Sequence, residues 1–219
     1  MSGNIDELKD KIITAARVLL HEGLIQAQYS LSCRLDENHM LINDNVGPAL
    51  LTRDLILVTS FEEEVKVGNV HPAIYKTRGD VNAVVHAHPL HAIVLSTVDD
   101  EFIPIHNYGV LFHGQIKVHA GHGQVKTREK AQEIADLLRD GRAILQRGHG
   151  TVVVGRNLEE AVLATIYLEE AAKVHFMAKT MGTPHYISRE QSEKITGQVF
   201  KERSNKKAWD HYVSKLALP

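Results

Sequence analysis

One cysteine, Cys33, stands alone in the chain, so no disulfide can form within it and nothing requires an oxidising compartment. Aromatic residues are equally scarce at 5%, which argues against recognition of bases or sugars by stacking. An excess of one charge is also missing: 25 Lys and Arg face 27 Asp and Glu, for a formal net charge of −2. That balance gives no electrostatic reason to expect nucleic acid or an anionic membrane as partner. No apolar run approaches the roughly 20 residues that span a bilayer. The opening "MSGNIDELKDKIITAARVLL" lacks the basic end, apolar core and small-residue cleavage site of a signal peptide. A soluble, cytoplasmic protein is the expectation. There is no internal repeat and no low-complexity linker, and 219 residues with 43% hydrophobic content suffice for one domain over 1–219.

Periodicity sets out the elements. Ile5, Leu8, Ile12, Ala15, Ala16 and Leu19 recur at helical spacing, which predicts a helix from Asn4 to His21 with Asn4 and Glu7 as a capping pair. "YSLSCRL" and "HMLIND" predict two short strands turning through "DEN", and "DLILVTS" a third. "VHPAIYKTR" predicts a short helix, then "NAVVHAH" a strand and "PLHAIVLSTV" a helix. Further strands are expected near Phe102–Ile105 and Gln115–His119, and Thr127 is placed to cap a helix over "REKAQEIADLLRD". "AILQRGHGTVVVG" gives two strand segments broken at a Gly-His-Gly corner, and Asn157 with Glu160 has capping-box spacing ahead of a long helix to Met181. The charged tail "KERSNKKAWDHYVSKL" is helical by propensity. Strands that follow one another without helices, with helices recurring around them, predict a mixed and substantially antiparallel sheet covered by helices.

What the chain has in abundance is histidine, 14 in all, and three of them fall within "AVVHAHPLHAIV". An imidazole in an apolar strand must find a polar partner. Alternation puts His86 and His88 on one strand face with Ala87 opposite, a spacing that can place two nitrogens on one metal ion. The competing explanation is a pair of core histidines satisfied by backbone carbonyls. A metal site needs at least one more protein ligand and an open position for chemistry. His149, between two glycines at the end of an apolar strand, is the best candidate, against the alternative of a turn histidine facing solvent. His91, three residues beyond His88, could be a ligand or a nearby proton donor, and His113, His119 and His122 form a looser group.

"DVNAVVHAHPLHA", preceded by "HPAIYKTR" and followed by "RGHGTVVVGRNLEEAVLATIYLEEAAK", resembles the class II aldolase/adducin family. The similarity runs from about Tyr29 to Thr180 and includes the leading helix more faintly. It implies an α/β fold, a three-layer α/β/α arrangement with a central, largely antiparallel mixed sheet. It implies one divalent metal ion per subunit (Zn, Mn, Fe or Co), held at the matching positions His86, His88 and His149. It also implies a small-molecule substrate, and a homotetramer with active sites between subunits.

The departures from that pattern bear on substrate. Sugar-phosphate members carry a proton-transferring carboxylate four positions before the histidine matched by His71, and Val67 stands there. Glu64 could substitute if the loop before Gly68 bulges. The backbone amides and hydroxyls that clamp phosphate are replaced by Tyr29–Ser30, by the region of Asn45–Val46 and by Val65–Lys66. The tyrosine expected after the "IPxIH" stretch aligns with Asn107, with Tyr108 adjacent. Features such as "LLTRDLI" and "QRGHGTVVVG" followed by "YLEEAA" look more like the family's decarboxylase-type branch, which acts on hydroxylated aromatic or pyridine dicarboxylates. The favoured expectation is therefore a metal-dependent carbon–carbon lyase that decarboxylates a hydroxylated, aromatic or heteroaromatic carboxylic acid. The alternatives are a class II aldolase acting on a small hydroxy-carbonyl or sugar-phosphate substrate, and a non-catalytic adducin-like binding protein. Arg147 is the candidate group for the departing carboxylate, and His91, Tyr108 and His113 are candidate proton donors.

Overall fold

The computed structural model describes residues 2–98, 101–121, 123 and 125–217, with side chains from residue 5 onward. His122 and the side chain of Asn4 lie outside the described residues. The first helix, α1, runs Ser2–His21. Strands β1 (Ser30–Arg34), β2 (His39–Asn43) and β3 (Ile56–Ser60) form a meander, followed by α2 (Val70–Thr77), β4 (Ala83–Ala87) and α3 (Leu90–Ser96). Then come β5 (Ile116–His119), α4 (Arg128–Leu138), β6 (Ala143–Gln146), β7 (Gly150–Gly155) and α5 (Leu158–Met181). Two further helices, α6 (Arg189–Val199) and α7 (Glu202–Lys215), complete the described chain.

The seven strands form one sheet in the order β3-β2-β1-β4-β7-β6-β5. Every pairing is antiparallel except β5 with β6, which the α4 crossover makes parallel. The expected mixed, largely antiparallel sheet is what the strands build. Alternation sorts their side chains onto two faces. Ala83, Val85, Ala87, Leu145 and Val153 pack with Ile12 and Leu19 of α1, Leu95 of α3 and the buried stripe of α5. Val84, Ile144, Val152 and Val154 pack with Ile74 of α2 and Ile134 and Leu138 of α4. Helices thus cover both faces, giving three layers.

Strand polarity positions the site. Since β4 and β6 are both antiparallel to β7, and β5 is parallel to β6, the carboxyl ends of β4, β5 and β6 share one edge of the sheet. The start of β7 lies on that same edge, between the ends of β4 and β6.

The segment Phe102–Ile105, expected as a strand, joins no strand; Pro104 offers no N–H for a ladder, and its carbonyl instead accepts from the Ile187 N–H at 2.8 Å. The tail helix docks on the α1/α5 side through Trp209, Tyr212, Val213 and Leu216, and Lys215 pairs with Glu22. Helix α6 was not among the expected elements, although "SREQ" carries the signal: Ser188 and Gln191 form a reciprocal capping box. The capping expected ahead of α5 is half present. Asn157 Oδ1 accepts from the Glu160 N–H at 2.8 Å, but the Glu160 carboxylate turns to Arg142 and Arg156, at 3.0 and 2.9 Å. Substituting Asn157→Ala should lower the unfolding free energy by about 1 kcal/mol, measured by urea denaturation. An unchanged midpoint would show that the Glu160 ion pairs hold the helix start unaided.

Candidate metal centre

The centre begins with the pairing of β4 and β7. His86 lies opposite Val152 and Ala87 opposite Thr151, so one more step of the same register sets His88 against Gly150. His86 and Val84 share the face that packs on α2, and His88 follows on that face just beyond the strand's end. Gly150 is a close-approach glycine. A Cβ there would sit 2.6 Å from the Ala87 carbonyl oxygen and 2.9 Å from His88 Cδ2, so any other residue would force the two strands apart. Gly148 supplies the corner with a positive φ of 65°, which turns His149 back towards β4.

The three rings then converge. His86 and His88 have centroids 4.8 Å apart, and His149 lies 5.2 Å from the first and 5.3 Å from the second. One nitrogen from each falls within 4.8 Å of the others, and no carboxylate or thiol joins them among the described residues. His86 Nδ1 donates to the Thr151 carbonyl at 2.9 Å, which leaves Nε2 with its lone pair. His88 is likewise bonded to the Gln28 backbone. His149 Nδ1 is buried without a hydrogen-bond partner. Burial holds all three rings neutral: His86 is lowered to about 3 by desolvation and then by the two neighbouring imidazoles, and His88 and His149 are shifted the same way. Three neutral imidazoles, two fixed by backbone carbonyls and one with an unmet ring nitrogen, fit a divalent cation of the Zn, Mn, Fe or Co type.

Beneath them lies a polar network with no counterpart among the sequence expectations. His71, at the start of α2, is fully buried and lowered to about 3 by desolvation and by His86. Its two ring nitrogens lie 2.9 Å from Ser30 Oγ and 2.6 Å from Ser32 Oγ, and Ser32 Oγ is 2.7 Å from the Tyr75 hydroxyl. The i, i+2 serines of "YSLSCR" were the available signal: two hydroxyls on one strand face inside a core. Ser30 pairs directly with His86 across β1 and β4, so this network supports the strand that carries the ligands.

The other candidates each have contacts or surroundings of their own. Glu64 is exposed, in the loop before α2. His91 is tied to α5, its Nδ1 2.7 Å from Glu169 Oε1, and the same carboxylate accepts from the His91 and Ala92 N–H groups. Tyr108 stacks flat on Tyr167 at 4.4 Å, on the α5 side of the sheet. His113 Nδ1 lies 2.8 Å from Ser192 Oγ of α6. Arg147 is half-buried at the end of β6, two residues from His149, and its N–H donates to the His119 carbonyl at 3.1 Å. At the positions that match the family's phosphate clamp, Tyr29 is buried, with a hydroxyl pushed up to about 12 by desolvation, and Lys66 pairs with Asp44 at 3.3 Å.

The chain matches the family described as class II aldolase and adducin N-terminal domain over residues 10–176. It is 33% identical over 106 residues to the L-fuculose phosphate aldolase of Methanocaldococcus jannaschii, covering 48% of this chain and 57% of that one. It is 27% identical over 197 residues to the 3,4-dihydroxyphthalate decarboxylase of Arthrobacter keyseri, covering 80% and 79%. Thus the chain spans little more than half the length of some of its curated relatives, the archaeal aldolase among them. In fold it is similar to an aldolase II superfamily protein from Pseudomonas syringae, with a TM-score of 0.83 at 21% identity over 96% of this chain and 92% of that one. A match over three quarters of its length, joined to the shared three-layer architecture, makes the chain a member of the class II aldolase/adducin family.

Proposed function

We propose that the protein is a metal-dependent carbon–carbon lyase, and that decarboxylation of a small hydroxylated carboxylic acid is its reaction ahead of aldol cleavage. The convergence of His86, His88 and His149 carries this reading. A divalent ion held there would polarise a substrate oxygen beside the bond that breaks, which lowers the cost of the carbanion left behind.

The chain's own residues divide the remaining work. His86 and His88 supply lone pairs without a protonation cost, because burial keeps them neutral. Arg147, at the end of β6, is the cation assigned to orient the departing carboxylate. Aldol cleavage needs a base to take a proton from a substrate alcohol, whereas decarboxylation needs only a donor to the new carbanion. Val67 stands where the family's carboxylate is expected and Glu64 is exposed, which favours the second chemistry. The relatives named as decarboxylases support the same choice, and those named as aldolases keep cleavage of a small hydroxy-carbonyl compound as the second reading.

Proton donation is assigned to His91, Tyr108 or His113, reached through assembly. Tyr108 lies on the opposite face of its own sheet from His86, so a neighbouring subunit is the natural source of a donor. Leu90 and Val94 of α3 and Phe176 and Met177 of α5 are 66%, 39%, 49% and 51% exposed, an apolar surface suited to a homotetramer with sites between subunits. No helix among the described residues is long and apolar enough to cross a membrane, and the one thiol, Cys33, is buried; a cytoplasmic setting belongs to the same proposal.

Elemental analysis of protein purified without chelators should find one divalent ion per chain, with loss of that ion and at least a 100-fold loss of activity in His88→Ala (about two to three orders is the scale for removing a single electrostatic stabiliser of the transition state). Full activity in metal-free His88→Ala would remove the metal from the account. Incubation with dihydroxylated aromatic carboxylates should release CO₂ and no aldehyde. An aldehyde product from hydroxy-carbonyl compounds, without CO₂ from the acids, would reverse the order of the two chemistries.

A further inference from the structure

The row of side chains that holds His88 does not stop at the metal centre. Continuing the register across the sheet, His88 is opposite Gly150 on β7, Gly150 is opposite Gln146 on β6, and Gln146 is opposite His119 on β5. Gln146 follows Ile144 on the face that packs towards α4, the same face that presents His86. Because Gly150 has no side chain, nothing on β7 separates the imidazole of His88 from the amide of Gln146.

Gln146 is an unexpected residue for that place. It is 2% exposed, at the end of a strand whose other members are Ala143, Ile144 and Leu145, and its amide oxygen meets no hydrogen-bond donor among the described residues. The next side chain in the row repeats the pattern: His119 Nδ1 is buried and unbonded, with Gly121 against its ring and Glu133 of α4 3.9 Å from Nε2. A leucine at 146 would avoid the desolvation cost of a buried acceptor left without a donor. Retaining the amide makes physical sense when a bound molecule brings the missing donor.

We infer that Gln146 and His119 form a substrate subsite that extends the metal centre along the edge of the sheet and receives a hydroxyl group of the substrate. The inference rests on the proposed metal site and goes further, to the substrate's shape. As placed, Gln146 Oε1 accepts, so a group that donates meets it directly: a hydroxyl does so, whereas a carboxylate or a phosphate requires the amide to turn its NH₂ inward. His88 and Gln146 lie two strand spacings apart, about 10 Å between backbones, a gap that a ligand of a few carbon atoms spans. The ligand class is therefore a small acid that carries at least two hydroxyls. At one end a hydroxyl meets the histidines with its neighbouring carboxylate turned to Arg147, and a further hydroxyl two or three carbons along donates to Gln146.

Calorimetric binding of two acids to Zn²⁺-loaded protein separates the parts. Glycolate can occupy only the metal end, whereas erythronate adds distal hydroxyls. Wild type should bind erythronate about three- to tenfold more tightly than glycolate, the scale of one net hydrogen bond. In Gln146→Leu the preference should vanish, with glycolate affinity and zinc stoichiometry retained, and the metal-free variant should melt at a higher temperature because the unmet acceptor is gone. Gln146→Met gives the same comparison if the leucine variant misfolds. Equal affinities in wild type, or a preference that survives both substitutions, would overturn the subsite and assign Gln146 to a buried water. Failure of glycolate to bind zinc-loaded protein would instead overturn the metal-centre reading on which the subsite rests.

Discussion

The contact between β4 and β7 at Gly150 is the constraint on which the rest of the site depends. Two neighbouring strands carry histidines at opposite ends of the sequence motif pair, His86 and His88 on one side and His149 on the other, and only a glycine lets them meet. A methyl group there would fall inside the contact distance of the Ala87 carbonyl and the His88 ring. The three imidazoles are half-buried, and desolvation lowers their pKa values towards the neutral form whose lone pairs can serve a cation.

Buried neutral imidazoles need hydrogen-bond partners, and much of the local structure answers that need. The Thr151 carbonyl takes the His86 Nδ1 proton, the Gln28 backbone bonds His88, and Ser30 and Ser32 bracket His71 beneath them. The helices keep this arrangement in place from both sides. α2 delivers His71 to the network, while α3, whose first-turn amides are bonded by Glu169 of α5, carries the chain away from His88 at a fixed angle. Glu169 thus joins α3, which follows directly on the two candidate ligands, to α5. The same carboxylate holds His91 on α5, so the third histidine of "HAHPLH" anchors the exit from the site within its own chain.

Much of the fold was legible because it is written locally. Period-two alternation in "NAVVHAH", the Thr127 and Asn157 caps and the apolar spacing of α1 each act within a few residues, and each appears where expected. His-x-His was readable for the same reason. His149 could be nominated from its glycines, but its meeting with His88 depends on strand pairing across some sixty residues, which periodicity does not encode. Gln146 was hidden more deeply. Within "AILQ" it reads as the polar end of a buried strand, and only the row His88–Gly150–Gln146–His119 gives its unmet oxygen a context. Phe102–Ile105 has the apolar content of a strand, but Pro104 lacks the N–H that a ladder needs, and the segment joins no strand. Tyr108 and His113 were adjacent to family motifs in sequence, yet stacking on Tyr167 and contact with Ser192 place them against α5 and α6.

The central claim is that three imidazoles from β4 and the β6–β7 corner hold one cation and leave coordination free for substrate. X-ray absorption spectroscopy of the zinc-loaded protein tests it most directly. The account predicts three imidazole nitrogens at about 2.0–2.1 Å and one or two oxygen ligands that change when a hydroxy acid is added. A first shell with fewer than three imidazoles, or a closed four-ligand shell indifferent to the acid, would contradict it.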